Sequence, residues 1–371
     1  MKKLTRPVRR VVIKVGTSSL TGKSLSLSAE KIRRLTSDVM RLRRQGVDVI
    51  IVSSGAIAAG VGVLGLRERP RDLQILQATA AIGQNELMKA YGQAFGRFGQ
   101  KVGQVLLTRE ELSDRKSYLN IKNTLAALLK IGVIPVINEN DSVSVEEILS
   151  GDNDNLAAIV AVNLAAEALV MLSDSGFKMN VADAKTVPIV PQITDDIRKA
   201  ARGGSARGKG GMLTKIQAAE KTINADVDMF IVDAKKKGAL IKVLASPTKT
   251  TLISQNATFF PSQKKLTDRE HWMLYSARPT GDIAVDDGAK QALASGGSLL
   301  PSGVVGVSGS FKAGDVVRIA DRKAQAFALG EVNYGIDDVK KIMGRQSREI
   351  EKFLGRKCRC EIVYHKNMVF T

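Results

Sequence analysis

The strongest constraint on this chain is an alternation. Short apolar, β-branched runs each end in a small polar turn and are followed by helical periodicity. "VRRVVIKVG" stops at Gly16, and "SAEKIRRLTSDVMRLRRQ", residues 28–45, opens on Ser28 and stops at Gly46. The pattern continues through "VDVIIVSSG", a helical stretch from about Leu73 to Phe98, "KVGQVLLT", "SYLNIKNTLAALLKIG", "VIPVINEN", "NDNLAAIVAVNLA", "EALVMLSD", "LTKIQAAEKTINA" and "VDMFIVDA". Strands apolar along their whole length need helices on both faces, so the alternation predicts a mostly parallel open sheet sandwiched by helices. In such sheets ligands bind beyond the carboxyl ends of the strands. Four turns there, "IKVGTSS", "IVSSGA", "VINEND" and "VMLSDSG", carry Gly, Ser, Asn or Asp. One such turn means little; four that converge predict a site.

The pattern changes after about Phe260. "PSQKKLTDREHW" reads as a connector, and short alternating strands with glycine turns follow: "GDIAVDDGA", "GVVGVSGSF", "GDVVRIAD" and "AFALGEVN". One helix, "DDVKKIMGRQSREIEKFLG", and a last strand, "CEIVYHKNMVF", complete the chain. The expected division is an α/β domain over 1–260, a linker over 261–274 and a small, mainly β barrel-like domain over 275–371.

Charge and composition exclude several classes. The 371 residues carry a net charge of +19, so a polyanion partner must be considered. Residues 271–371 hold an excess of four basic groups and the upstream part an excess of fifteen, spread through "RPVRR", "KIRR", "RLRR" and "KKK". Aromatics are scarce in the upstream part, so a base-stacking platform is not obvious there and a solvated basic surface is the plainer reading. The amino-terminal segment lacks the apolar run and small-residue site of a signal peptide, and the longest apolar runs are too short or too interrupted to span a bilayer. A cytoplasmic protein with no membrane association is expected. Cys358 and Cys360 have poor spacing for a disulfide or a zinc site and read as inert thiols.

Histidine occurs only at positions 271 and 365, outside the first domain. That domain therefore has no Ser-His-Asp or Cys-His catalysis and no His-rich metal site. It does have Lys14, glycine turns, hydroxyls and, in "VINENDSVSVEEILSGDNDN", three Asp, three Glu and four Asn with no basic residue. This set suits phosphoryl transfer, which needs positioning and positive charge more than covalent help. "GKGGMLTK", residues 208–215, lacks Walker A spacing but sets a glycine-rich loop before a helix bearing Thr214 and Lys215. A flexible loop capping a helix is the plainer reading of that stretch alone.

Taken together, "VVIKVGTSSLTG", "IVSSGAIAAGVGVLG", "QATAAIGQNELM", "GQVLLTREELSDR", "VIPVINENDSVSVEEI", "GDNDNLAAIVA" and "GGMLTKIQAA" resemble, in order, the glutamate 5-kinases of the amino-acid kinase family. "ARPTGDIAVDDGA" and "GGSLLPSGV" resemble the PUA module that often follows such kinases. The resemblance spans nearly the whole chain. It implies transfer of the ATP γ-phosphoryl group to the side-chain carboxylate of L-glutamate, the first step of proline biosynthesis.

By motif, the resemblance makes Lys14 and Lys215 the catalytic cations. Nucleotide contacts fall on Lys14, Gly16, Thr17, Ser18, Ser173, Asp174, Lys209, Gly210, Gly211, Met212, Leu213, Thr214 and Lys215. Ser54, Asp141 and Asn153 match substrate-binding positions; Asp141 suits the ammonium group, and Asn153 suits carboxylate oxygens. Asp152 and Asp154 would orient the lysines or, as an alternative, cap the helix that follows. Glu139, Glu146 and Glu147 read as structural or solvated. Mg²⁺ is expected with ATP, without a dedicated protein metal site. Relatives are often inhibited by proline and are often dimers or tetramers, and PUA modules bind RNA in several unrelated proteins.

Departures cluster at the nucleotide end. "SDSGFKMNVADAK" has Ser173 where the family has Thr, and it lacks the usual tyrosine. Lys209 replaces the threonine of a Gly-Thr-Gly-Gly-Met loop, and "VDAKKKGAL" replaces a more neutral turn. The competing expectation is a relative that has lost kinase activity and acts as an RNA-binding or regulatory protein.

Overall fold

The computed structural model describes residues 7–22, 26–144, 153–180, 185–203, 211–263 and 266–371. These divide into two compact units, Met1–Glu111 with Lys116–Lys265, and Leu112–Arg115 with Leu266–Thr371.

The first unit is built on a seven-stranded sheet in the order β3-β4-β2-β1-β5-β6-β7. Its strands are β1 (Arg10–Val15), β2 (Asp48–Ser53), β3 (Val102–Leu107), β4 (Ile134–Glu139), β5 (Ala168–Ser173), β6 (Asp228–Asp233) and β7 (Thr258–Phe260). All neighbours run parallel except β6 and β7. Strand order reverses at β1, which lies between β2 and β5, and such a switch point opens a crevice at the strands' carboxyl ends. Register aligns those ends: Val15 lies opposite Ser53 and Leu172, and Ser173 opposite Asp233.

Period-two alternation gives β1 two different faces. Val11, Ile13 and Val15 join the core beneath α1 (Ala29–Arg44) and α3 (Leu73–Gly96), with Ile32, Leu35 and Val39 from α1 and Leu87, Tyr91 and Phe95 from α3. Lys14 therefore falls on the other face. Ser28 caps α1 by accepting from the Lys31 N–H, as the sequence predicts. Helices α2 (Ala56–Val63) and α3 cross through two glycines. A Cβ on Gly83 would lie 1.8 Å from the Ala56 carbonyl, and one on Gly60 1.9 Å from that of Thr79. This backbone contact holds the part of α3 that carries Gln84. On the Lys14 face lies α4 (Asn153–Asn163), buried along every residue, packed on β1 and on α5 (Met212–Ile223).

The second unit has a five-stranded sheet, β12-β11-β10-β8-β9, from β8 (Gly281–Val285), β9 (Val304–Gly309), β10 (Val316–Ala320), β11 (Ala326–Glu331) and β12 (Met368–Phe370). Its own core includes Ile283, Val317, Ile319, Val339, Ile342 and Val363. Three local readings differ from expectation. The presumed connector contains a helix, Asp268–Tyr275, started by a reciprocal capping box between Thr267 and Glu270. The single long helix is two short ones, Ile336–Ile342 and Ile350–Leu354, separated around Gly344, whose φ of 74° leaves the helical region. The last strand is only Met368–Phe370, after a 3₁₀ turn at His365–Asn367. Among the described residues no helix is long and apolar enough to cross a membrane.

Candidate active site

Three elements bring three charges together on the buried face of β1. Lys14 comes from β1, Asp154 from the first turn of α4 and Lys215 from the first turn of α5. Asp154 Oδ1 lies 2.7 Å from Lys14 Nζ and Oδ2 lies 3.0 Å from Lys215 Nζ. The side chains of Lys14, Asp154 and Lys215 are 7%, 0% and 8% exposed. Two ammonium groups this deep need a counter-ion, and one carboxylate serves both. Thr214 adds a hydroxyl, which donates to Oδ2 at 2.7 Å. Burial alone would raise the Asp154 pKa, but the two lysine charges and the Thr214 hydrogen bond hold it below the usual carboxylate range. Burial pulls Lys215 below its ordinary value; Asp154 opposes that fall and Lys14 adds to it. The cluster keeps a net charge of +1, suited to an anionic ligand.

Beside it runs a string of neutral groups. Asn153 Nδ2 donates to Ser54 Oγ at 3.0 Å and to Asn138 Oδ1 at 3.1 Å, and Asn138 Nδ2 donates to Gln84 Oε1 at 2.9 Å. Ser54 follows β2, and its N–H donates to the Val15 carbonyl at 3.0 Å, next to Lys14 in the chain. Gln84 also helps line a cavity of about 300 Å³, with Asn85, Gln104, Glu139, Asn140 and Asp141. Asp141 is pushed up to about 6, first by burial and then by the Glu139 charge, with Arg69 pulling the other way. Glu139 is buried and accepts from the Ser144 hydroxyl at 2.7 Å.

On the other side of Lys14, Gly16 leads into the 3₁₀ turn Thr17–Ser19. Lys31 ties that turn to α1 by donating to the Ser18 and Thr21 carbonyls, each at 2.7 Å. Ser18 helps line a second cavity of about 180 Å³, with Val15, Leu172, Asp174, Lys235 and Leu240. Asp174 is 68% exposed and lies 3.5 Å from Lys235 Nζ. Ser173 ends β5, and Gly211, Met212, Leu213 and Thr214 begin α5. Among the described residues no three His, Cys, Asp or Glu side chains converge as metal ligands.

Lys14, Asp154, Lys215 and Thr214 thus form one cluster, and Ser54 and Asn153 a second, adjoining one. Ser18 and Asp174 share the smaller cavity, and Asp141 lines the larger. Asp152, Lys209 and Gly210, together with Glu146 and Glu147, lie outside the described residues. The Asp154 carboxylate is committed to side chains from two other elements, which fits lysine orientation better than capping of its own helix. Gln84 and Asn138 had no role on sequence grounds. Their only signal is chemical: an amide beside a glycine helix crossing, and one at the end of an otherwise apolar strand.

Comparison with known proteins agrees with this arrangement. The Amino acid kinase family profile matches residues 9–233, and the PUA domain profile matches residues 281–354. The glutamate 5-kinase of Syntrophotalea carbinolica is 43% identical over 376 residues, covering 99% of each chain. That of Pelobacter propionicus is 44% identical, again over 99% of each, and that of Carboxydothermus hydrogenoformans is 44% identical over 100% of each. With matches of this identity along its whole length, the chain belongs to the glutamate 5-kinases of the amino-acid kinase family.

Proposed function

We propose that this chain transfers the γ-phosphoryl group of ATP to the side-chain carboxylate of L-glutamate, giving γ-glutamyl phosphate and ADP at the entry to proline biosynthesis. The observation that carries this reading is the pair of buried lysines held on one carboxylate beside a neutral amide string. A carboxylate oxygen forms the new bond to phosphorus while the bond from phosphorus to the β,γ-bridging oxygen breaks. Neither group needs a proton removed, so the absence of histidine from this unit costs nothing. Lys14 and Lys215 stabilise charge on the transferring group and on departing ADP, and Asp154 aims them. Asp141 meets the substrate ammonium, and Ser54 and Asn153 frame its carboxylate end. Gly16, Thr17, Ser18, Ser173, Asp174 and the start of α5 serve the nucleotide.

The donor set fits Mg²⁺ brought in on ATP. Asp174 is an exposed carboxylate at the rim of the smaller cavity, and Mg²⁺ takes its other ligands from phosphate oxygens and water. Bound there, it would neutralise phosphate charge. The competing expectation of a relative without kinase activity is not favoured, because the charged cluster is intact and tightly paired. The test is ATP-dependent acyl phosphate formation, trapped with hydroxylamine. Product is expected with glutamate and far less with aspartate; no product with either acid would overturn the assignment.

A separate observation supports RNA as a further partner. Residues 340–359 hold eight basic and two acidic side chains, and all eight cations are exposed. Arg345 lies 4.7 Å from the ring centre of Phe353, which is exposed as well. Cations for phosphate and an aromatic face for bases suit a single strand. Binding of a labelled oligoribonucleotide should weaken steeply with salt and be lost in Arg348→Glu/Lys352→Glu. Equal binding by that variant would remove this surface from consideration.

A further inference from the structure

Hydrogen-bond polarity along the amide string decides how the amino-acid end meets its ligand, and the inference rests on the proposed acceptor being an amino dicarboxylate. A side-chain amide has two protons on nitrogen and an oxygen that only accepts. Asn153 directs its nitrogen at Ser54 Oγ and Asn138 Oδ1, and Asn138 directs its nitrogen at Gln84 Oε1. Two of these bonds join amide to amide, and both point the same way. Turning Asn138 over alone would set nitrogen against nitrogen on one side and oxygen against oxygen on the other. Asn153, Asn138 and Gln84 are all buried, so water does not readily repair such a mismatch. The three amides hold one another in a single orientation.

That orientation has a chemical result at Ser54. Its oxygen accepts from Asn153, so its hydroxyl proton is directed elsewhere. Its backbone N–H is anchored on Val15, adjacent in the chain to Lys14, so the hydroxyl stands close to the cationic cluster. A hydroxyl set to donate recognises a carboxylate or phosphoryl oxygen and has no use for an N–H. We propose that the Ser54 hydroxyl donates to the reacting carboxylate of the substrate, and that Asn153, Asn138 and Gln84 are positioning residues that act through it. Asn153, read from sequence as a direct carboxylate ligand, then serves mainly to orient the serine. Gln84 and Asn138 become determinants of acceptor selection though neither is placed against the reacting group.

A double-mutant cycle on the full-length protein tests this. Ser54→Ala, Asn138→Leu and the double variant are compared for kcat/KM toward glutamate, with KM for ATP and melting temperature measured alongside. A hydrogen bond to a charged group predicts a loss of about 10–100-fold in Ser54→Ala. Asn138→Leu should lose several-fold or more in the wild-type background and little further once Ser54 is alanine. KM for ATP should hardly move in any variant. Should Asn138→Leu fail to fold, Gln84→Met at the far end of the string gives the same cycle with a gentler change. Losses that multiply in the double variant would show that the amides act independently of Ser54 and would overturn the proposal, as would wild-type kinetics in Ser54→Ala. A wild-type protein inert toward glutamate would overturn the functional reading together with it, whereas an active wild type with multiplying losses overturns the string alone.

Discussion

The two ends of the candidate site are held by different physics. At one end Lys14, Asp154 and Lys215 form a buried ionic cluster, with salt bridges of 2.7 and 3.0 Å. At the other, neutral amides fix a direction, and the one acid in the cavity, Asp141, is pushed up to about 6. Charge set in advance is most useful where new charge appears, which is in the transition state. A directed string of neutral donors is most useful for telling one ground-state ligand from another. The contrast teaches where damage should show: in turnover and stability at the ionic end, and in KM for the amino acid at the neutral end.

The largest expected effect comes from removing the shared counter-ion. Asp154→Ala leaves two buried ammonium groups facing each other. Breaking a buried pair by removing one partner costs roughly 3–5 kcal/mol. Chemical denaturation should show a loss of that size, and turnover should nearly vanish. A variant as stable and as active as wild type would mean that the cluster does not organise the site. Next in size are Lys14→Ala and Lys215→Ala. Each should raise the barrier by about 2.7–4 kcal/mol, by analogy with loss of one oxyanion donor, or roughly 10²–10³-fold in kcat. KM for glutamate should stay within a few-fold. A pure KM effect would erase the distinction between the two ends.

The neutral end is broken more gently. Asp141→Asn should raise KM for glutamate about tenfold or more, while KM for ATP stays nearly constant. The pH dependence sharpens the point. Asp141 must be ionised to hold an ammonium group, and in the free protein it titrates near 6. Below pH 6 its carboxyl is neutral, so wild-type KM for glutamate should climb, approaching tenfold per pH unit. Above about pH 7 it should be flat. Asp141→Asn should flatten the acid limb, and a limb unchanged in that variant would assign it to another group. Turnover should fall on the alkaline side earlier than an ordinary lysine would dictate, because burial lowers Lys215. The two ends would then give two separable pH limbs.

How much of this was legible in the sequence differed by kind of signal. Strands β1 to β6 and helix α1 were visible because β-branched runs end in small residues and Ser28 and Gly46 bracket a clear 3.6 period. The helix at Asp268–Tyr275 had its signal too, in Thr267 and Glu270, but the surrounding charge made the segment look like solvated connector. The break near Gly344 was hidden because apolar positions continue at helical spacing across it. Within the site, motifs pointed to Lys14 and Lys215. The role of Asp154 stayed open, because an aspartate at the start of a helix serves capping or an ion pair equally well. Only the tertiary approach of β1 and α5 decides between them. Gln84 and Asn138 were invisible for the same reason: they are 54 residues apart, and no local pattern says that two amides will meet.

The smallest effect expected concerns the second unit, and it asks whether either end of the site depends on it. Lys14, Ser54, Gln84, Asn138, Asp141, Asn153, Asp154 and Lys215 all belong to the first unit, which has its own sheet and core. The second unit has a separate core around Ile283, Val317 and Ile319. We propose that a chain ending near Phe260 folds and phosphorylates glutamate, with kcat within a few-fold of the full-length value. Some stability should be lost, because Leu112–Arg115 group with the second unit, where the Trp272 indole donates to the Leu112 carbonyl at 3.2 Å. Losing one such hydrogen bond and its packing costs on the order of 1–3 kcal/mol, so a lower melting temperature with retained turnover is the expected pair of results. Cooperative unfolding of the purified truncation, followed by the hydroxylamine assay, measures both. A truncation that unfolds cooperatively yet turns over no glutamate would show that the second unit helps to build the site. The contrast between its two ends would then be incomplete, because a third contributor would lie outside both.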